Sequence, residues 1–177
     1  MIRHWKTVIA AVGIVIAGFS TDASAQAFGI GAGPSFPLSV LGDEFETGYH
    51  VQLSAGLAPA SLPVGLRFDG AYNYFPEDDG HFRVISGSAN AVLALPMSGL
   101  SPYIIGGLGV YNSRGEHDDE VEAGHGHESV TNLGGNIGAG IRFALPGLSV
   151  FVEARLHNVF SEGEQVRFIP LTLGIQL

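Results

Sequence analysis

From Gly48, the run GYHVQLSAGL sets Tyr49, Val51, Leu53, Ala55 and Leu57 on one face. Gly48, His50, Gln52, Ser54 and Gly56 fall on the other. Successive side chains of a strand point to opposite faces, so strict alternation over this length predicts a half-buried strand. The same period recurs in VGLRFDGAYNY (64–74), NLGGNIGAGIRF (132–143), VFVEARLH (150–157) and FIPLTLGIQL (168–177). Weaker alternation predicts strands at 26–36, 82–95 and 101–113, where glycine and alanine interrupt the contrast. The total is eight.

The connections alternate too. Those at 37–47, 76–81, 114–129 and 160–165 are acidic, whereas APASLP, PMSGLS and PG are short and uncharged. In an up-and-down meander, odd and even connections emerge at opposite ends. Short turns at one end and longer loops at the other are the pattern of outer-membrane barrels, whose strands run to about 10 residues.

Composition narrows the choice. The chain is 46% hydrophobic and 14% charged, yet no stretch after the N-terminal region reaches the 18 or so apolar residues of a membrane-crossing helix. A soluble barrel with its apolar face inward is the competing architecture. Against it, the polar face consists mostly of Gly, Ala, Ser and Asn, which fit a narrow eight-stranded interior. A water-facing surface would carry many more Lys and Glu. The expected fold is therefore all-β, an eight-stranded antiparallel up-and-down transmembrane β-barrel.

The N-terminus reads separately. Arg3 and Lys6, an apolar run over Thr7–Phe19 and Ala23-Ser24-Ala25 have the form of a secretory signal peptide, giving 1–25 as signal and 26–177 as barrel. An uncleaved anchor is the alternative, but the run is short for a span. The remainder holds six arginines, no lysine and sixteen carboxylates, fourteen of these in the odd connections. Clustered cations are what nucleic acid requires, so nucleic acid is excluded as a partner. The chain has no cysteine, so disulfides and thiolate metal ligands are excluded as well.

PYIIGGLGVYN (102–112), NLGGNIGAGIRF, VFVEARLH and FIPLTLGIQL together resemble the small eight-stranded outer-membrane β-barrels, the group of OmpX, the OmpA membrane domain and the opacity-type proteins. The resemblance implies export to the outer membrane of a Gram-negative-type (diderm) bacterium. It also implies contact with outer-membrane lipid and lipopolysaccharide, insertion by the barrel assembly machinery, a monomer, and no cofactor. It further implies a non-enzymatic role in envelope integrity, adhesion or surface interaction. One departure is Leu177, where the group usually ends in an aromatic residue that assists assembly.

Several residues carry candidate chemistry. Arg67, Asp69, Arg142, Glu153, Arg155 and His157 share the inward face. Unpaired charges in a narrow lumen would cost several kcal/mol each, so a salt-bridged network is expected. The expected pairings set Arg67 or Arg155 against Glu153, and Arg142 against Asp69. A narrow gated channel is the functional alternative. A lipid A-modifying enzyme is another, for which His157, Ser161 and Glu162 are the candidates; their spacing does not suit a serine–histidine pair on one strand face. The glycine runs at 106–109 and 134–140 lack the Lys-Ser/Thr of a phosphate loop and lie on strands. Tyr49, Tyr72, Tyr74, Phe75, Tyr103 and Phe143 lie toward strand ends, as in an interfacial girdle, though strand propensity explains them equally.

The densest polar stretch is GEHDDEVEAGHGHE (115–128). His117, His125 and His127 with Glu128 or Asp118 are candidates for weak divalent-cation binding, since imidazole suits Zn²⁺ and Ni²⁺. Three sibling loops are acidic without such histidines, so a solvated acidic loop is the competing reading.

Overall fold

A computed structural model describes residues 25–39, 41–42, 45–58, 64–77, 80–95, 97, 99–117, 129–161 and 166–177. Residues 1–24, which are all of the expected signal segment but Ala25, and most of the acidic loops, with His125, His127, Glu128, Asp118 and Glu162, lie outside the described residues.

Eight strands follow in order: β1 Ala25–Leu38, β2 Gly48–Ala58, β3 Val64–Glu77, β4 Gly80–Ala94, β5 Leu100–His117, β6 Val130–Leu145, β7 Leu148–Val159 and β8 Val166–Gln176. Each pairs antiparallel with its sequence neighbours, and β1 pairs with β8, closing a barrel. At the seam Phe28 and Leu177 exchange backbone hydrogen bonds of 3.1 and 2.8 Å. Closure leaves no edge strand, which is what lets a sheet sit in hydrocarbon with its backbone satisfied.

The ladder thins at Pro34 on the β1–β8 side and at Pro170 on the β7–β8 side. Partners on β1 skip from Ala32↔Leu173 to Ser35↔Pro170, and those on β7 from Ala154↔Leu171 to His157↔Phe168. Proline has no N–H to give to the ladder. Between β6 and β7 the turn is two residues: Pro146 presets its φ, and Gly147 takes φ 84°, a conformation that costs glycine little.

The alternation predicts the faces correctly, and they are inverted relative to a soluble protein. Leu53, Leu108, Leu133, Ile137 and Leu173 are exposed on the outside, whereas Gln52, Asn90, Asn136, Arg67 and Glu153 are buried inside. The weak alternation of β4 and β5 has a physical source. Their inward faces carry Val84, Val92, Ile105 and two tyrosines, so apolar residues stand on both sides. Two small apolar clusters result. One, toward the odd-loop end, joins Leu41, Phe75, Val84, Tyr111, Val159 and Phe168. The other, toward the short turns, joins Val92, Tyr103 and Ile105.

Two expectations are corrected. Phe75 and Tyr103 are not girdle residues: both are buried in these interior clusters. Parity is the reason, since Phe75 follows the outward Tyr74 and must point the other way. In addition, β3, β4 and β5 run beyond the predicted loop boundaries, with Glu77 paired to Gly80 and Gly80 to His117. Glu77 and Glu116 therefore lie on extended hairpins.

Candidate functional site: a luminal ion quartet

Between the two apolar clusters the lumen is polar. Arg67 and Asp69 stand two residues apart on β3, and Glu153 and Arg155 two apart on β7. That spacing puts each pair on one face of its strand. In an eight-stranded ring β3 and β7 are four strands apart by either path, so they face each other across the barrel. An Arg-x-Asp strand thus meets a Glu-x-Arg strand.

The side chains close into a square. Arg67 Nε lies 3.0 Å from Asp69 Oδ1, and Arg67 Nη2 lies 2.7 Å from Glu153 Oε1. Arg155 Nη1 lies 2.9 Å from Asp69 Oδ2, and Arg155 Nη2 lies 2.8 Å from Glu153 Oε1. Each guanidinium therefore touches both carboxylates, and the group is neutral as a whole. Relative exposures are 4% for Arg67, 7% for Asp69, 1% for Glu153 and 2% for Arg155.

Neutral donors and acceptors add further hydrogen bonds, although Asp69 Oδ1, Gln52 Nε2 and Asn136 Oδ1 are buried without one. Tyr103 donates from its hydroxyl to Glu153 Oε2 at 2.8 Å, and Asn90 donates to Asp69 Oδ2 at 2.8 Å. Arg155 Nη2 donates to Gln52 Oε1 at 3.0 Å, and Asn136 donates to Asn90 Oδ1 at 2.8 Å. Buried charges need this kind of completion, because attraction alone does not offset their desolvation. Sequence reasoning missed Gln52, Asn90, Tyr103 and Asn136. The available signal was their inward parity on β2, β4, β5 and β6.

Glycine makes room for the square. Gly138 stands opposite Arg155, and a Cβ there would collide with the Arg155 side chain and the Ala154 carbonyl. Gly140 lies under the Tyr103 ring, which holds the hydroxyl against Glu153.

Arg142 and His157 lie apart from the square. Asp69 is engaged by Arg67 and Arg155, not by Arg142. Arg142 stands opposite Phe151 on the ladder, toward the short-turn end, with its guanidinium 5.4 Å from the Tyr103 ring centroid. That is cation–π range. His157 is buried toward the other end, with Nδ1 2.9 Å from the Tyr111 hydroxyl and its ring stacked 4.9 Å from Phe168. Two further luminal pairs flank it: His50 Nε2 with Thr172 Oγ1 at 2.9 Å, and Ser35 Oγ donating to Asn73 at 3.1 Å. Of the metal candidates only His117 falls on a described strand, and the described residues contain no group of three or more metal-ligating side chains.

No protein-family model matches the sequence, and no curated protein matches it. Solved structures do match in shape. Neisserial surface protein A is 18% identical with a TM-score of 0.68, over 88% of this chain and 99% of that one. Ail, the attachment invasion locus protein of Yersinia pestis, is 19% identical with a TM-score of 0.54, over 86% and 97%. The outer membrane enzyme PagL is 18% identical with a TM-score of 0.53, over 86% and 99%. The chain therefore has the fold of the small eight-stranded outer-membrane β-barrels. Its apolar exterior is the face that such barrels turn to lipid. One of the three is an enzyme, so the fold by itself does not decide whether a barrel is catalytic.

Proposed function

We propose that this chain is a non-enzymatic integral protein of the bacterial outer membrane, presenting its acidic odd-numbered loops to the outside. On this reading 1–25 is a cleaved signal, the barrel is a monomer delivered by the assembly machinery, and its standing partners are lipid and lipopolysaccharide. The role is structural or adhesive: envelope integrity or surface interaction. One observation carries the proposal. The lumen is filled across its width by a neutral, fully buried ion quartet capped by apolar clusters on both sides. Small barrels are filled by their own side chains, and a filled interior serves as a plug.

The same observation argues against the channel and the enzyme. A conducting path needs a continuous wet lumen, which the square and its caps interrupt. Among the enzyme candidates, His157 turns inward to Tyr111 and Phe168, where a lipid in the bilayer does not reach it.

Deleting the odd loops one at a time, with cell adhesion and envelope sensitivity scored for each, tests the surface role. No change in either property for any deletion sinks it. Silence of the purified barrel in planar bilayers is expected, and steady single-channel steps would replace the plug with a pore. An altered lipid A mass spectrum on expression would make it an enzyme.

A further inference from the structure

The arginines outside the lumen are unevenly placed. On β4 and β5, Arg83 and Arg114 are directly opposite on the ladder. Both alternate with outward residues: Ile85 follows Arg83 by two, and Val110 precedes Arg114 by four. Both guanidiniums therefore start from the outer face, with Cβ atoms about 4.5–5.5 Å apart by the geometry of such pairs. Like charges directly opposite each other repel, and an anion that touches both relieves the repulsion. Each arginine already has an intramolecular partner. A guanidinium has five N–H groups and can serve more than one acceptor at once.

The row continues sideways. Tyr49 pairs with Tyr74, and Tyr74 with Arg83, so one ladder level runs Tyr49, Tyr74, Arg83, Arg114 around the outer face. The two tyrosine rings stack at 5.2 Å, and His81 stacks on Tyr74 at 5.1 Å. One step toward the short turns, Val51 and Ile85 are exposed and the apolar belt begins. Tyrosine at the edge of such a belt sits at the height of lipid headgroups. The third outward arginine, Arg167, also lies at the odd-loop end, bonded to Asn158 at 2.8 Å. Among the described residues the outer face at the short-turn end carries no charged side chain. Phe28, Leu66, Leu93, Phe143, Val150 and Ile175 are among the residues there.

We infer that Arg83 and Arg114, beside Tyr74, form a binding site for the phosphate of an anionic lipid headgroup in the leaflet on the odd-loop side. The inference rests on the membrane reading above and names the chemistry of its lipid partner. Two adjacent planar guanidiniums match phosphate oxygens in a way that a single cation does not. Tyr74 and Ile85 offer apolar surface to the upper acyl chain. A chain with sixteen carboxylates and six arginines outside its signal segment places its outward cations at one rim, where a phosphorylated leaflet supplies the opposite charge.

The test uses the full chain in phosphatidylcholine vesicles containing a minor fraction of bis-phosphorylated lipid A, and reads the lipid A retained per barrel after detergent extraction. The expected result is retention by the native chain and an affinity lower by roughly tenfold or more in R83Q/R114Q, as expected when charge-assisted bonds are lost. R167Q should stay within about twofold, because it removes a lone guanidinium. R83K/R114K, which keeps charge but not the planar fork, should fall between. Lipid A stripped of phosphate is the decisive control on the native chain: equal retention of it means apolar contact only and overturns the inference. Displacement of lipid A by millimolar inorganic phosphate means a free-anion site and overturns it too. Equal retention by folded R83Q/R114Q does the same. If R83Q/R114Q loses its heat-modifiable migration on gels, the lysine pair and the phosphate-free lipid decide instead. A native chain that stays in the aqueous fraction removes the membrane reading itself, an outcome distinct from all of these.

Discussion

The lumen and the outer face of this barrel are made by the same strands, residue by residue, yet they tolerate opposite chemistry. At the height of Gly138, Arg155 is 2% exposed inside, while the adjacent outward Ile137 is 67% exposed. Inside, charge is accepted in the square because each of its four charges has two opposite partners within reach. Outside, no such partners exist at mid-height, and the surrounding medium must be apolar. The interior is therefore specific about geometry, and the exterior is specific only about polarity. A luminal substitution is expected to cost according to which partners it orphans, and an exterior one according to its depth in the belt.

The strongest test of that contrast removes one corner of the square. Glu153→Gln leaves two guanidiniums facing a single carboxylate in a buried site. Breaking a buried pair in this way costs about 3–5 kcal/mol. Urea unfolding of the refolded barrel, followed by gel migration or by tyrosine fluorescence, should show that loss. Replacing all four members together with apolar residues of similar volume should cost much less, because no charge is then left unmatched. If Glu153→Gln unfolds at the native denaturant concentration, the square does not hold the barrel together.

The outer face should be next most sensitive. Ile137→Arg places a charge at the height of the quartet but on the lipid side. An arginine at the bilayer midplane of such a barrel costs about 2–4 kcal/mol, falling toward zero near the interface. Arginine at position 85, one step from the Arg83 row, should therefore cost less than arginine at 137 in the same unfolding assay. Equal costs at the two heights would show that the belt is not graded, and would count against a bilayer as its environment.

These positions also show how far the sequence could be read. The strand count and the two faces were legible because period-two alternation survives in most strands, and Arg67, Asp69, Glu153 and Arg155 could be placed inward by parity alone. Height was not legible. Alternation gives a residue's face but says nothing of its level along the barrel, which depends on the stagger between strands. Arg142 shares the face of Asp69 but lies toward the short turns, opposite Phe151, so it meets the Tyr103 ring. The same gap hid Tyr103 and Asn90, which reach the square only because the register brings β4 and β5 to its level. The complementary order, Arg-x-Asp on the third strand and Glu-x-Arg on the seventh, was visible and points to their meeting across the lumen. The row of Arg83 and Arg114 required the register of β4 with β5, and no pattern within either strand contains it.

A smaller effect is expected where the lumen is crowded but uncharged contacts can shift. Gly140 lies beneath the Tyr103 ring, and a side chain there would push the ring away from Glu153. Gly140→Ala should cost about 1–3 kcal/mol, the usual range for overpacking. Tyr103→Phe, which removes only the hydroxyl, should cost about 1.5–3 kcal/mol, since the lost bond is to a charged group. Because both changes act through the contact of Tyr103 with Glu153, the double variant should cost less than the sum of the two. Additive costs would mean that Gly140 admits the ring for packing alone.

The smallest effect concerns the histidine-bearing stretch at 115–128. His117, His125 and His127 lie in a segment with six carboxylates and, between the later histidines, glycine. Imidazole suits Zn²⁺ and Ni²⁺, whereas a run of carboxylates is ordinarily a solvated surface. Titrating Zn²⁺ into the native barrel and into a triple His→Ala variant should give superimposable heats, with weak uptake driven by the carboxylates alone. A saturable transition in the native chain that the triple variant lacks would make this loop a metal site. The sealed lumen would then be one of two polar centres in the chain.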